Sequence, residues 1–228
     1  MKNIDTVIFD LDGTLLDTIE DLTDSVNYIL AKHIYPTRNI DEIRSFVGNG
    51  MRRLIELSAP SGLDEEKIES LFEELKEYYT AHSNIKTKLY TGILELLSYL
   101  KSNGYKTAIV SNKNHAAVCE LRQIYFNDYI ETAIGQKEVI RRKPYADCVF
   151  SALESLGCEC ENAVYIGDSE VDIKTAQNAG MDCIAVSWGF RDKKQLIEAG
   201  AQIIADDATE IISILEKSRS SNLMSETI

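Results

Sequence analysis

Residues 6–18 read TVIFDLDGTLLDT, an apolar, β-branched run that stops abruptly at Asp10 and Asp12, with Asp17 close behind. A short apolar run of this kind is typical of a buried strand. Like charges cost free energy when they are buried together, unless a cation or a reacting group neutralises them. The stretch therefore predicts a strand whose carboxyl end meets a positively charged partner.

The bulk composition is that of an ordinary globular protein. The chain has 228 residues, of which 44% are hydrophobic and 27% charged. Its formal net charge of −13 argues against nucleic acid or an anionic membrane as a partner. No signal peptide or spanning segment is evident, and five cysteines without metal-binding spacing indicate reduced thiols. We expect a cytoplasmic protein, either monomer or homodimer.

Further strands alternate with helical patterns along the chain. Short β-branched runs occupy residues 106–110, 163–166, 182–186 and 202–205, and helical patterns such as 146–156 lie between them. This alternation predicts an α/β fold with a doubly wound parallel sheet, a Rossmann-like core.

One segment breaks the alternation, because residues 17–87 carry helical spacing without a convincing strand. We predict that residues 17–87 form an inserted α-helical cap domain, and that residues 1–16 and 88–217 form the α/β catalytic core. The polar residues 218–228 are expected to be a flexible tail.

Polar side chains at the carboxyl ends of three predicted strands should converge, because open α/β sheets bind ligands there. Aspartates are hard oxygen ligands suited to Mg²⁺, whereas lysine and serine donate to phosphoryl oxygens. The set suits phosphoryl transfer better than acyl transfer, since no histidine lies near a candidate nucleophilic serine. The candidates are Asp10, Asp12, Thr14, Ser111, Asn112, Lys113, Lys143, Asp168 and Asp172.

The two aspartates of the first strand could divide the chemistry between them. One could attack phosphorus, while the other protonates the leaving oxygen and later activates water. Spacing alone does not decide which is which. The positive charge could come from Lys143, Lys113 or both, with Lys113 favoured as a solvated neighbour. Ser111 and Asn112 could alternatively cap the following helix.

Four motifs together resemble those of the haloacid dehalogenase-like hydrolase superfamily: DLDGTLLDT, VSNK, the Lys143-Pro144 pair and GDSEVD. The resemblance implies that Asp10 is the nucleophile and Asp12 the acid/base. It implies a Mg²⁺ ion held by Asp10, the backbone carbonyl of Asp12 and Asp168, with Asp172 in support. It assigns the phosphate to Ser111 and Lys143, with Thr14 and Asn112 as further candidates.

Within the superfamily, the segments SFVGNGMRRLIE, LYTGILELLSYLK and VSWGFRD resemble phosphoglycolate phosphatases, although related pyrophosphatases and sugar-phosphate phosphatases share them. Ala146 stands where the family often has a proline. In the cap, Gly48, Gly50 and Arg52 would then read the leaving group. Their alternative roles are a flexible turn and a solvating arginine.

We therefore expect a Mg²⁺-dependent phosphatase that hydrolyses a small phosphorylated metabolite, foremost phosphoglycolate, through an aspartyl-phosphate. The alternatives are a pyrophosphatase, a sugar-phosphate phosphatase and a β-phosphoglucomutase-like phosphosugar mutase. A receiver domain fits poorly, because receivers carry their aspartate on a later strand and lack such an insertion. A catalytically idle binding protein is also disfavoured, since every residue needed for chemistry is present.

Overall fold

The computed structural model describes residues 4–223, which fall into two compact units, residues 16–88 and the remainder. The helical unit, 16–88, contains β2 (Leu16–Asp17), α1 (Ile19–Lys32), α2 (Ile40–Phe46), α3 (Met51–Ser58) and α4 (Glu65–His82), and β3 (Lys88–Leu89) lies at its boundary. The core unit contains β1 (Thr6–Phe9), α5 (Ile93–Ser102), β4 (Lys106–Asn114), α6 (His115–Phe126), β5 (Thr132–Gln136), α7 (Asp147–Leu156), β6 (Ala163–Gly167), α8 (Glu170–Ala179), β7 (Asp182–Val186), α9 (Lys193–Glu198), β8 (Ile203–Ala205) and α10 (Ala208–Leu223).

The core unit is built on a six-stranded sheet in the order β5-β4-β1-β6-β7-β8. Its strands pair in parallel, which confirms the predicted doubly wound α/β fold. All four residues of β1 are buried, as expected for a central strand covered on both faces. Phe9, the last residue of β1, is level with Ile109 of β4 and Ile166 of β6, so the residues that follow these three positions lie at the same edge of the sheet.

The predicted strands are present, but their ends and number differ in detail. β4 continues four residues beyond the predicted end and includes Ser111 to Asn114, with an irregular pairing to β5 between Val110 and Asn114. β5 itself was missed. Its sequence, TAIGQ, contains a glycine and ends on an exposed polar residue, which weakens the strand signal of an edge strand.

In the helical unit, the predicted apolar stripes are the buried faces. Leu22, Val26, Ile29 and Leu30 are buried on α1, as are Ile68, Leu71 and Leu75 on α4. On α4 the buried stripe ends at Tyr79. That this unit acts as a mobile cap stays a prediction.

The end of the chain differs from the expected tail. α10 runs to Leu223, so residues 218–223 are helical, and the rest of the predicted tail lies outside the described residues. Among the helices of residues 4–223, none is both long and apolar enough to cross a lipid bilayer.

A buried carboxylate ties α1 to the chain that leaves α4. Asp21 is 2% exposed, and its oxygens accept from the backbone N–H groups of Ile85, Lys86 and Thr87 at 2.8–3.1 Å. The Thr87 hydroxyl also donates to it at 2.8 Å. Because hydrogen bonds to a charged group are stronger than neutral ones, Asp21 is a principal tie within this unit.

The carboxyl end of α1 holds a β-branched residue in a left-handed conformation. Ile34 has φ +58° and is 94% exposed, while the Tyr35 N–H donates to the Leu30 carbonyl at 2.8 Å. Glycine is the usual residue at this position of a helix end, because a Cβ is strained there. The left-handed backbone of Ile34 therefore costs free energy that no burial of its side chain offsets.

Replacing Ile34 by glycine should stabilise the protein by about 1 kcal/mol, since it relieves the left-handed strain. Thermal unfolding measures the effect as a higher Tm. Ile85→Gly is the matched control, because Ile85 is 69% exposed and lies outside the positive-φ residues. It should give no gain. A lower Tm for Ile34→Gly would contradict this account.

Replacing Asp21 by alanine should destabilise the helical unit by about 3 kcal/mol or more, because it leaves buried donors without an acceptor. Asp24→Ala is the control, since Asp24 pairs on the surface with Lys86 at 2.6 Å. Denaturant unfolding should show a much smaller loss for it. Equal losses for the two variants would contradict the role of Asp21.

Candidate active site

The ends of β1 and β6 bring together the motifs DLDGTLLDT and GDSEVD. The Asp10 N–H donates to the Ile166 carbonyl at 2.9 Å, which fixes the first aspartate beside β6. Carboxylate oxygens of Asp10, Asp168 and Asp172 all lie within 4.8 Å of one another, and all three residues are buried. A buried cluster of three carboxylates needs positive charge to be stable.

Lys143 supplies part of that charge. Its side chain is 3% exposed, and its Nζ lies 2.8 Å from Asp10 Oδ1 and 2.7 Å from Asp172 Oδ1. Burial opposes the charged form of Lys143, but Asp10 and Asp172 outweigh it and raise its pKa well above the usual range. Lys143 is therefore an ammonium that bridges two strand ends.

Asn112 holds the backbone of Lys143 in place. The Lys143 N–H donates to Asn112 Oδ1 at 2.8 Å, and Asn112 Nδ2 donates to the Lys143 carbonyl at 3.2 Å. The amide predicted to bind phosphate is thus engaged with the backbone, and a phosphate contact by Asn112 stays a prediction. The alternative of helix capping is wrong for this motif, because Asn114 caps α6.

The loop after β7 packs closely against Asp168. Its Oδ2 accepts from the Phe190 N–H at 2.8 Å, and its Oδ1 accepts from the Thr14 hydroxyl at 3.0 Å. A Cβ on Gly189 would lie 2.3 Å from Asp168 Cβ, and one on Gly13 would lie 2.4 Å from Asp168 Oδ2. Thr14, a predicted phosphate ligand, here donates its hydroxyl to Asp168, so its contact with phosphate stays a prediction.

Asp172 is held at the start of α8. Its Oδ2 accepts from the Ser169 N–H at 3.1 Å and from the Ser169 hydroxyl at 2.5 Å, while its Oδ1 faces Lys143. The carboxylate therefore caps the helix as well as joining the cluster. That Asp172 supports a metal ion stays a prediction.

The electrostatics of the cluster favour a divalent cation. Burial raises the pKa of Asp10 well above its usual range, Lys143 lowers it, and Asp172 and Asp168 raise it further. Burial and Asp172 raise the pKa of Asp168 to about 7, against the hydrogen bonds from Phe190 and Thr14. Three carboxylates against one ammonium leave an excess of negative charge on hard oxygen atoms. This donor set fits Mg²⁺, which prefers carboxylate ligands.

Asp12 lies beside a second lysine. Lys113 Nζ is 3.0 Å from Asp12 Oδ1, and the two side chains are 5% and 16% exposed. The expectation that Lys113 is a solvated neighbour is therefore wrong. Its own N–H donates to the Ser111 hydroxyl at 3.2 Å, and Ser111 is buried at the same strand end.

The predicted cap residues lie in the helical unit. Gly48 and Gly50 have φ +124° and +82°, and Gly50 immediately precedes α3. Arg52 donates to Glu69 at 3.0 Å and also pairs with Glu65, both on α4. Arg52 thus has partners within its own unit, and its recognition of a substrate stays a prediction.

Sequence analysis missed Tyr165, which is fully buried at the centre of the cluster. Its hydroxyl donates to the Val110 carbonyl at 3.1 Å and accepts from Lys143 Nζ at 3.1 Å. A tyrosine inside an apolar strand reads as core, yet a buried hydroxyl needs a hydrogen-bond partner. This requirement could have indicated from the sequence that Tyr165 contacts a polar group of the site.

The chain is similar in sequence to known proteins. The sequence model of the haloacid dehalogenase-like hydrolases matches residues 7–186. The chain is 31% identical over 212 residues to phosphoglycolate phosphatase 1 of Pseudomonas aeruginosa, covering 90% of this chain and 78% of that protein. It is 34% identical over 192 residues to the phosphoglycolate phosphatase of Caulobacter vibrioides, covering 82% and 81%.

Among solved structures, a protein of Lactobacillus delbrueckii subsp. bulgaricus superposes with a TM-score of 0.87 and 36% identity, covering 92% of this chain and 97% of that one. That protein is provisionally described as a phosphoglycolate phosphatase. The region that the family model matches contains the acidic cluster together with Lys113 and Lys143. From its sequence match and its fold, the chain belongs to the haloacid dehalogenase-like hydrolase family.

Proposed function

We propose that the protein is a Mg²⁺-dependent phosphatase that hydrolyses small phosphate monoesters through an aspartyl-phosphate on Asp10. The observation that carries the proposal is the pairing of Asp10 with Lys143 at 2.8 Å inside a cluster of three buried carboxylates. A nucleophile, a cation for phosphoryl oxygens and a set of metal ligands then share one strand end.

In the first step, an oxygen of Asp10 bonds to phosphorus as the bond from phosphorus to the leaving oxygen breaks. Asp12 gives its proton to that oxygen, so the product is an alcohol. In the second step, Asp12 takes a proton from water while the water oxygen bonds to phosphorus. The bond to Asp10 breaks, which releases phosphate and restores the carboxylate.

The surrounding residues support both steps. Lys143 and Ser111 would bind phosphoryl oxygens, and Lys143 also lowers the pKa of Asp10 against the effect of burial, which favours the ionised nucleophile. Asp10, Asp168 and the Asp12 carbonyl would hold Mg²⁺, with Asp172 in support. When bound, the ion supplies positive charge to the phosphoryl oxygens and to the nucleophile.

Phosphoglycolate is the leading substrate, because the relatives from Pseudomonas aeruginosa and Caulobacter vibrioides carry the name phosphoglycolate phosphatase. Pyrophosphate and sugar phosphates are the alternatives that a substrate panel must include. Release of inorganic phosphate distinguishes all of these hydrolases from a phosphosugar mutase.

Replacing Asp10 by asparagine should lower phosphate release by at least about a thousandfold, because the amide cannot attack phosphorus. Phosphate release from phosphoglycolate with Mg²⁺ measures the loss. Asp5→Asn is the control, since Asp5 is exposed and immediately precedes β1. It should retain full activity. An Asp10→Asn protein that is folded and within tenfold of wild type would contradict the proposal.

Mg²⁺ should stabilise the protein more at pH 8 than at pH 5. The folded pKa of Asp168 is raised to about 7, so folded protein keeps a proton that unfolded protein loses as pH rises from about 4. Without metal, the contribution of Asp168 to stability falls through this window. Mg²⁺ binds the ionised carboxylates, so its effect grows as the proton leaves.

Thermal unfolding with Mg²⁺ or with chelator at both pH values measures this linkage. Asp168→Asn should be more stable than wild type in chelator at pH 8, and Mg²⁺ should barely shift its Tm. A larger Mg²⁺ shift at pH 5 than at pH 8 would contradict the assignment of these carboxylates to the metal.

A further inference from the structure

We propose that Lys113 binds a carboxylate on the leaving group, so that the core unit itself selects phosphate esters of 2-hydroxy acids. The inference rests on the proposed function, because it takes Asp12 as the group that protonates the leaving oxygen. It places part of the substrate specificity on β4, outside the helical unit.

The position of Lys113 is the first step. It lies in the last residues of β4, where pairing with β5 is irregular, and its ammonium is 3.0 Å from Asp12 Oδ1. The side chain is only 5% exposed. Burying a lysine is costly unless its charge is used, and a solubilising lysine would extend into water. Lys113 is therefore held at Asp12.

The second step is reach. An acid must come within about 2.6–3.2 Å of the oxygen that it protonates, so the leaving oxygen would lie next to Asp12. Lys113 contacts the same carboxylate and is thus a close neighbour of that oxygen. In the phosphate of a 2-hydroxy acid, one carbon separates the ester oxygen from the carboxylate. An ammonium carries three donors, so it can serve Asp12 and a ligand carboxylate together.

The third step is the use of the other cations. Lys143 bridges Asp10 and Asp172 and would bind the transferred phosphoryl group. In the helical unit, Arg52 pairs with glutamates of α4, and Arg53 Nη1 lies 2.9 Å from Glu56 Oε2. Lys113 is the lysine that contacts the proposed proton donor, Asp12. It is therefore our candidate for the cation that binds an anionic group on the leaving group.

A simpler role is that Lys113 only orients Asp12. The two roles differ for substrates without a carboxylate. Ethyl phosphate is phosphoglycolate with a methyl group in place of the carboxylate, and its alkoxide still needs the proton from Asp12. Loss of orientation would slow hydrolysis of both esters equally, whereas loss of recognition would add a further loss for phosphoglycolate alone.

The experiment compares kcat and KM for these two esters in wild type, Lys113→Gln and Lys113→Arg. Lys113→Gln should lower kcat/KM for phosphoglycolate by about 10- to 100-fold more than it lowers kcat/KM for ethyl phosphate, and the difference between the two esters should lie mainly in KM. Lys113→Arg keeps the charge and should keep the preference for phosphoglycolate within about tenfold.

Lys174→Gln, an exposed lysine on α8, controls for the change in net charge and should leave both esters unchanged. Inhibition by inorganic phosphate checks the rest of the site, and its Ki should not change in Lys113→Gln. If the Ki changes in Lys113→Gln, the test rests on Lys113→Arg. A Lys113→Arg protein that keeps the phosphate Ki but loses the preference for phosphoglycolate would overturn the inference.

Equal losses on the two esters, or no loss on either, would overturn the assignment of Lys113 while leaving the phosphatase intact. Hydrolysis of neither ester by wild type would instead overturn the proposed function, and the inference with it.

Discussion

The site depends on the ion pairs that the buried ammonium of Lys143 makes with two carboxylates. It lies within 2.8 Å of carboxylates from two different strand ends, Asp10 after β1 and Asp172 at the start of α8. Breaking such a buried pair leaves an uncompensated charge, which is far more costly than the net gain of the pair itself. The backbone brace from Asn112 and the hydroxyl of Tyr165 hold the ammonium at this point.

One ammonium does not neutralise three carboxylates, so the residues around the cluster have to stabilise the remaining negative charge. Close contacts from Gly13 and Gly189 fix Asp168, and the Phe190 N–H and Thr14 hydroxyl partly satisfy it. The remaining charge is what a divalent cation and a phosphoryl group would share. The excess of negative charge, which is costly to bury, thus suits the cluster to a cation and to chemistry on an anionic ester.

Sequence patterns predicted which residues belong to the site, but they predicted less well which partners those residues contact. The apolar run ending at Asp10 and the parallel alternation placed Asp10, Ser111 and Asp168 at neighbouring strand ends, and the register of β1 with β4 and β6 brings them there. Side-chain roles depend on distances that periodicity does not contain. Lys113 looked solvated but is buried against Asp12, and Tyr165 looked like core but binds Lys143. The edge strand β5 was not predicted, because its sequence TAIGQ has only a short apolar run interrupted by a glycine.

The central claim is that Asp10 becomes phosphorylated, and chemical trapping tests it most directly. Asp12→Asn slows the removal of the phosphoryl group by water, whereas an ester such as 4-nitrophenyl phosphate has a leaving group that needs no proton from Asp12. The acyl phosphate should therefore accumulate in Asp12→Asn after mixing with Mg²⁺ and 4-nitrophenyl phosphate. Quenching followed by borohydride reduction converts an aspartyl-phosphate to homoserine, which mass spectrometry locates in the peptide. The account predicts homoserine at position 10, and only when substrate is present. Homoserine at another aspartate, or none in protein that still releases phosphate, would contradict it.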